Sequence, residues 1–133
     1  MVIDTSAVLA ILFDEPEADD IEMAIDADPV RLISAASYLE TATVAESRLG
    51  EPGGRELDLL VHKAGIEIVA VTAEQVDTAR DTWRRFGKGR HLANLNFGDC
   101  FSYALATASG EPLLFKGDDF DKTDIQRVVL GVE

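Results

Sequence analysis

Carboxylates occur at four well-separated points of the chain, each beside residues that favour burial. Asp4 interrupts the opening run MVIDTSAVLA, and Glu40 lies within SAASYLETAT. Asp99 lies within NFGDCFSYALA, and Asp118 and Asp119 come shortly after the run PLLF. A charged side chain in such surroundings either caps a helix or belongs to a functional site.

If these acids meet in space, they repel one another strongly. Two carboxylates about 4 Å apart repel by roughly 4 kcal/mol at an effective dielectric constant of about 20, so a cluster of four requires protons or a cation. Hard divalent ions such as Mg²⁺ or Mn²⁺ prefer oxygen ligands and keep several waters. Such an ion activates water and stabilises a phosphoryl transition state. The acids therefore favour metal-assisted hydrolysis of a phosphodiester.

The elements that must position these acids alternate between strands and helices. Short apolar runs predict strands at residues 2–3, 31–34, 66–71, 112–115 and 127–130. Helices are predicted at residues 5–13, 16–27, 35–49, 55–64, 73–86 and from 96 or 98 to 109, with a turn at 51–54 and a basic loop at 87–95. This alternation predicts a single α/β domain over residues 1–133, with three α/β/α layers and a central, mostly parallel sheet of four to five strands.

The predicted topology brings the acids to one edge of the sheet. Right-handed crossovers place the carboxyl ends of parallel strands, and the amino ends of the helices that follow, along the same edge. Asp4 ends the first strand, and Glu40 lies in the first or second turn of the helix after the second strand. Asp99 begins the helix before the fourth strand, and Asp118 and Asp119 follow that strand. Four chain segments should each contribute a carboxylate there.

Helix capping is the alternative explanation for these acids. Asp4 fits an N-cap, Ser37 with Glu40 fits a capping box, and Asn96 with Asp99 fits the same box with Asp in place of Glu. The two acids after the fourth strand fit a turn. Serine or threonine would cap these helices without mutual repulsion, so the four acids together favour a site.

Other catalytic chemistries have weaker support in the sequence. His62 and His91 lie far apart and Cys100 has no partner motif, so zinc is not expected. No glycine-rich phosphate loop follows the first strand, and no Gly-x-Ser-x-Gly turn presents a nucleophile. We expect Cys100 to be a small buried hydrophobe.

The composition is that of a globular domain with a strong acidic bias. Hydrophobic residues make up 47% of the chain and charged residues 28%, and no apolar run approaches the roughly 18 residues of a membrane span. The chain begins without signal-peptide features, and a single cysteine cannot form an internal disulfide, so we expect a cytoplasmic protein. The net charge of −13 disfavours non-specific binding to nucleic acid or anionic membranes.

The charge is unevenly distributed along the chain. Residues 14–28 carry eight acids and no base, whereas residues 80–90 carry five bases and one acid. The basic segment could hold a polyanion, and the acidic segment could dock a basic partner. Both runs are also compatible with solvated helix faces.

Four motifs, in this order along the chain, resemble those of one family. They are VIDTSA at residues 2–7, SYLE at 37–40, NFGDCFSYA at 96–104 and LLFKGDDF at 113–120. Together they resemble the PIN-domain ribonucleases, and within them the VapC toxins of prokaryotic VapBC toxin–antitoxin systems. The resemblance extends over the whole chain and implies a PIN-like domain.

The resemblance also implies an activity, a site and partners. It implies an endoribonuclease that requires Mg²⁺ or Mn²⁺, cuts structured RNA such as tRNA or ribosomal RNA, and stops translation. Asp4 and Asp99 would bind the metal, and Glu40 would bind it directly or through water. Asp119, which directly precedes a phenylalanine, would be the fourth acid, with Asp118 as the alternative. A homodimer and inhibition by a VapB-type antitoxin are implied as well.

An RNA substrate would give the basic segment a role in binding. Phosphates must meet local positive charge even on an acidic protein. We therefore expect RNA contacts from Arg84, Arg85, Lys88 and Arg90.

Two other classes of function remain open from the residues alone. Receiver and haloacid-type phosphatase domains also gather acids at this edge. Receivers require an acidic pair after the first strand and an aspartate after the third, where this chain has Thr72. Haloacid-type phosphatases require Asp-x-Asp, and this chain has Asp4-Thr5-Ser6. A non-catalytic binding module with the PIN fold is the other alternative.

Overall fold

Four short strands and six helices occupy residues 1–131, the part of the chain that the computed structural model describes. The strands are β1 (Val2–Ile3), β2 (Leu32–Ser34), β3 (Glu67–Val69) and β4 (Leu113–Leu114). The helices are α1 (Thr5–Leu12), α2 (Ala18–Ala27), α3 (Ala35–Leu49), α4 (Glu51–Ala64), α5 (Ala73–Phe86) and α6 (Phe97–Ser109). A short 3₁₀ turn spans Asp119–Lys122.

The strands form one parallel sheet in the order β3-β2-β1-β4. β1 is an inner strand, and its residues Val2 and Ile3 are fully buried. Because successive side chains point to opposite faces, Val2 packs into the core under α5 and α6, and Ile3 packs into the core under α1, α2 and α4. The predicted α/β fold with a central parallel sheet is therefore confirmed, with four strands in the described residues.

The turn predicted at residues 51–54 is wrong, because these residues are the first turn of α4. Gly50 takes a positive φ of 69° and reverses the chain between α3 and α4. A Cβ at Gly53 would come within 2.5 Å of the Ala45 carbonyl oxygen and 2.9 Å of Leu49 Cβ. Glycine here allows two helices to pack closely, so it does not mark a break in the chain.

Two other predicted elements differ in the structure. The strand predicted at residues 127–130 is a single bridge between Arg127 and Leu113, and Val129 is 62% exposed. Its apolar residues follow the edge of β4 without extending the sheet. The second helix begins at Ala18 and not at Pro16, because Asp14 adopts a left-handed conformation with φ of 50° and the chain turns there.

Candidate active site

Asp4 is held at the carboxyl end of β1 by three hydrogen bonds. Its carboxylate caps α1 by accepting from the backbone N of Ser6 at 3.0 Å. It also accepts from Ser6 Oγ at 2.7 Å and from Ser102 Oγ at 2.5 Å. The side chain is 4% exposed, so these donors replace most of its water. Asp4 is a helix cap and also a buried acceptor at the sheet edge.

Asp99 lies at the same edge, in the first turn of α6. The capping box predicted with Asn96 is present, with each backbone N donating to the other side chain at 2.9 Å. Asp99 is 9% exposed. Burial, together with the negative charges of Asp4, Asp119 and Glu40, raises the pKa of its carboxyl to about 7, and the hydrogen bond from the Asn96 backbone acts in the opposite direction. Asp99 therefore lies in a field of uncompensated negative charge.

Glu40 approaches this cluster from the second turn of α3. Ser34, and not Ser37, caps α3, so the capping box predicted for Ser37 and Glu40 is wrong and the carboxylate is available to the site. Burial and the charge of Asp4 raise the pKa of Glu40. The amino end of α6 lies directly against it, because a Cβ at Gly98 would come within 2.5 Å of Glu40 Oε1.

Asp118 and Asp119 follow β4, and both are exposed at the start of the 3₁₀ turn. Asp118 precedes the turn, and its carbonyl accepts from the Asp121 backbone N at 3.1 Å. The charge of Asp119 contributes to the raised pKa of Asp99. The structure thus places Asp119 close enough to Asp99 for their charges to interact.

Serine hydroxyls around Asp4 were not predicted from the sequence. Ser102 donates to Asp4 and lies 3.1 Å from Ser37 Oγ in a fully buried pair. Ser6 Oγ accepts from the Lys116 backbone N at 2.9 Å and so ties the end of β4 to the end of β1. The spacing of Ser102 could have identified it in the sequence, because it follows Asp99 by three residues and therefore lies on the same face of the helix.

The oxygen donors at this edge fit a hard divalent ion. Within residues 1–131, no three Asp, Glu, His or Cys side chains converge into a ready-made metal cage. Mg²⁺ is usually held by one or two carboxylates and several waters, so such a cage is not required. The nearby Lys116 ammonium is paired with Glu15 and Glu17. Lys116 therefore already has two acidic partners outside the cluster. A bound cation would offset the repulsion between the acids of the cluster.

Cys100 is not suited to be a nucleophile. Its side chain is 4% exposed, as predicted for a buried hydrophobe. Burial raises the pKa of the thiol to about 11, and the charge of Asp99 acts in the same direction. The thiol is therefore neutral at physiological pH.

The four bases predicted to contact RNA fall into two groups in the structure. Arg85 turns away to Asp124 at 2.8 Å and Asp81 at 3.7 Å, and stacks on a phenylalanine ring. The Arg90 guanidinium lies over the Trp83 ring at 4.6 Å. The other two predicted bases, Arg84 and Lys88, are exposed.

Comparison with known proteins assigns the family. The model of the PIN domain family matches residues 1–126. The chain belongs to the PIN-domain family, and within it to the VapC ribonucleases. It is 63% identical over 130 residues to ribonuclease VapC30 of Mycobacterium tuberculosis, covering 98% of this chain and 99% of that protein. It is 65% identical over 128 residues to a ribonuclease VapC of Mycolicibacterium smegmatis, covering 96% and 99%.

Solved structures agree with this PIN fold. VapC20 of Mycobacterium tuberculosis, described as a sarcin-ricin loop cleaving toxin, superposes with a TM-score of 0.77 at 19% identity and covers 96% of this chain and 97% of that chain. VapBC2 of Rickettsia felis, solved with a DNA fragment from its promoter, gives 0.74 at 13% identity over 96% of each chain. The resemblance read from the motifs is confirmed, and membership of a ribonuclease family excludes the receiver and phosphatase alternatives.

No helix within residues 1–131 is both long and apolar enough to cross a bilayer.

Proposed function

We propose that this chain is a metal-dependent endoribonuclease toxin that cleaves cellular RNA, either tRNA or ribosomal RNA, and thereby inhibits translation. The observation that carries the proposal is the burial of Asp99 beside Asp4, Glu40 and Asp119, acids from four chain segments, in a chain of the VapC ribonuclease family. Mg²⁺, or Mn²⁺ in its place, is the proposed cofactor, because every donor at the site is oxygen.

Each acid has a proposed role that follows from its position. Asp4 and Asp99 would hold the ion, since both are buried and the charge of Asp4 acts on Asp99. Glu40 would hold it directly or through water. When bound, the ion supplies an activated water and stabilises negative charge on the phosphate. Asp119, which is exposed, is proposed as the fourth acid on the solvent side of the cluster.

The serines have a positioning role in this proposal. Ser6 and Ser102 donate to different oxygens of the Asp4 carboxylate, so its plane and rotamer are fixed before any ligand arrives. A preformed ligand reduces the reorganisation that metal and substrate binding require.

The proposed partners are a VapB-type antitoxin and a second copy of the chain. VapC-family membership supports both. The acidic segment of residues 14–28 gives a basic partner a complementary surface, with α2 exposing Asp19, Asp20 and Glu22.

Cleavage of labelled RNA tests the activity directly. Purified chain is incubated with labelled tRNA and ribosomal RNA in Mg²⁺, Mn²⁺ or EDTA. We expect discrete cuts with either metal, none in EDTA, and a loss of at least about 100-fold in Asp4→Asn and Asp99→Asn. Asp77→Asn, an exposed acid on α5, is the matched control and should cut normally.

Two results would contradict the proposal. Intact RNA under every condition would point to a non-catalytic PIN-fold module. Cleavage that persists in EDTA, or in both aspartate variants, would show that the acidic cluster is not the active site.

A further inference from the structure

A buried group of hydroxyls joins α1 to α3 next to the acids. Thr5, the first residue of α1, is 8% exposed, and Thr41 on α3 is fully buried. The two Oγ1 atoms lie 3.1 Å apart. Both also reach the Ser37 carbonyl oxygen, Thr41 at 2.7 Å and Thr5 at 3.1 Å. Thr5 directly follows Asp4, and Thr41 directly follows Glu40, so the group adjoins two of the acids along the chain.

This group has fewer protons than contacts. Each threonine hydroxyl has one proton to donate. Thr41 has two acceptors within reach, the Ser37 carbonyl oxygen and Thr5 Oγ1. Thr5 has the same carbonyl oxygen and the carboxylate of Glu40, whose pKa is raised by burial and lowered by a hydrogen bond from Thr5. Two protons cannot satisfy all four contacts at once.

The Ser37 carbonyl oxygen decides how the protons are shared. It has two lone pairs, and inside α3 one of them accepts from the backbone N of Thr41, four residues later. The other is left for a single hydroxyl, and Thr41 is the closer donor. Threonine in a helix often donates to the carbonyl four residues back. The Thr5 proton is then free for the Glu40 carboxylate, which is the stronger acceptor because it is charged.

We propose that Thr5 is a positioning residue, whose hydroxyl donates to the Glu40 carboxylate and fixes it for metal binding. Thr41 keeps the Thr5 proton available, because Thr41 itself donates to the Ser37 carbonyl oxygen. The inference rests on the proposed metal-dependent function and adds how the third acid is held.

The affinity of the full chain for Mn²⁺ tests this role without requiring RNA cleavage. Mn²⁺ is titrated into the chain, and free Mn²⁺ is followed by its electron paramagnetic resonance signal. Thr5→Val keeps the branched shape of the side chain and removes the donor. We expect the Kd for Mn²⁺ to rise by about 10- to 100-fold, as is typical when a metal ligand loses its hydrogen-bond partner. Thr5→Ser restores the hydroxyl and should bind Mn²⁺ nearly as tightly as the wild type.

Thr41→Val tests the sharing of protons. Without the Thr41 hydroxyl, the Ser37 carbonyl oxygen takes the Thr5 proton, and Glu40 loses its donor. Thr41→Val should therefore weaken Mn²⁺ binding, as Thr5→Val does. The double variant should bind no more weakly than Thr5→Val alone, whereas two independent structural effects would multiply.

Thr82→Val is the matched control. Thr82 is 1% exposed and donates to the Thr78 carbonyl oxygen, four residues back, at 2.7 Å. This is the bond that Thr41 makes in α3, but it lies in α5, which carries none of the four acids. The Kd for Mn²⁺ should not change in this variant. Melting temperatures in EDTA show whether each variant is folded, and if Thr5→Val is not, Thr41→Val compared with this control decides the outcome.

Three results would overturn the inference. They are wild-type affinity in Thr5→Val or Thr41→Val, equally weak binding by Thr5→Ser and Thr5→Val, and changes in Kd that multiply in the double variant. If every variant binds Mn²⁺ like the wild type, only this inference fails and the proposed metal site stands. If the wild-type chain binds no Mn²⁺, the metal-dependent function fails and this inference fails with it. If the chain cuts RNA, Thr5→Val should lower kcat and leave KM for RNA nearly unchanged, because Thr5 acts on an acid of the site and not on the strand.

Discussion

Replacing Asp99 by asparagine tests whether the acidic cluster destabilises the metal-free fold. The substitution removes one negative charge and keeps an oxygen that can accept from the Asn96 backbone N, at 2.9 Å in the wild type. The helix cap is therefore preserved while the repulsion from the other acids is relieved. If like charge dominates at this site, the variant should be more stable than the wild type when no cation is present.

The expected magnitude follows from the pKa of Asp99. Its folded value is about 7 against an ordinary value of 3.8, and one pKa unit corresponds to about 1.4 kcal/mol. The ionised side chain therefore costs at most about 4 kcal/mol in the folded state. Asparagine must bury an amide in the same place, so we expect a net gain of about 1–3 kcal/mol at pH 8.

The sign of the pH dependence is fixed by the direction of the shift. Well below pH 3.8, Asp99 is protonated in both the folded and the unfolded state and has no effect on stability. As the pH rises from there to about 7, the unfolded chain loses the proton and the folded chain keeps it, so the wild type becomes less stable. The advantage of Asp99→Asn should thus be small at pH 5 and grow by roughly 2 kcal/mol by pH 8.

Thermal or urea unfolding in EDTA at these two pH values measures the effect. At pH 8, Asp99→Asn should melt several degrees higher than the wild type. Asp77→Asn on the exposed face of α5 is the control and should change little at either pH. Added Mg²⁺ should then stabilise the wild type and leave Asp99→Asn almost unaffected. A variant that is no more stable than the wild type at pH 8 would refute the reasoning.

Three other predictions use contacts in the structure. Gly98→Ala places a methyl group against the carboxylate of Glu40, and RNA cleavage should fall by about tenfold or more with little change in melting temperature, because the flexible end of a side chain can yield. An unaltered cleavage rate would mean that Glu40 does not act where the structure places it. Gly53→Ala should destabilise the fold by about 1–3 kcal/mol in urea unfolding, because its Cβ meets the backbone of α3. Gly54→Ala is its matched control and should be nearly neutral, since its Cβ meets only the end of an exposed glutamate side chain. Ser102→Ala removes the 2.5 Å hydrogen bond to the carboxylate at the end of β1, and kcat should fall by about 10- to 100-fold. Wild-type kcat in that variant would exclude a positioning role.

Local signals in the sequence were sufficient for several elements. The helices at residues 35–49 and 73–86 begin and end where they were predicted. Each begins after a hydroxyl residue, Ser34 or Thr72, that accepts from the first turn, and each ends at a glycine, Gly50 or Gly87. Caps depend on residues within one turn of each other, so they can be read from the chain directly.

Elements that depend on a distant partner were predicted less well. Gly53 and Gly54 suggested a turn, but contact with α3 makes them part of a helix. The apolar run at residues 127–130 suggested a strand, but it meets β4 at a single bridge. In both cases packing against another segment overrides local propensity.

The sequence by itself predicted which acids share an edge, because right-handed crossovers place the carboxyl ends of parallel strands along one edge of the sheet. Its motifs also indicated the family. Only the tertiary structure decided that the predicted caps Asp4 and Asp99 are also buried and close enough for their charges to interact, and that Ser102 donates to Asp4. Burial and like-charge repulsion depend on how closely residues 4 and 99 approach, and that distance is set by the packing of α6 against β1.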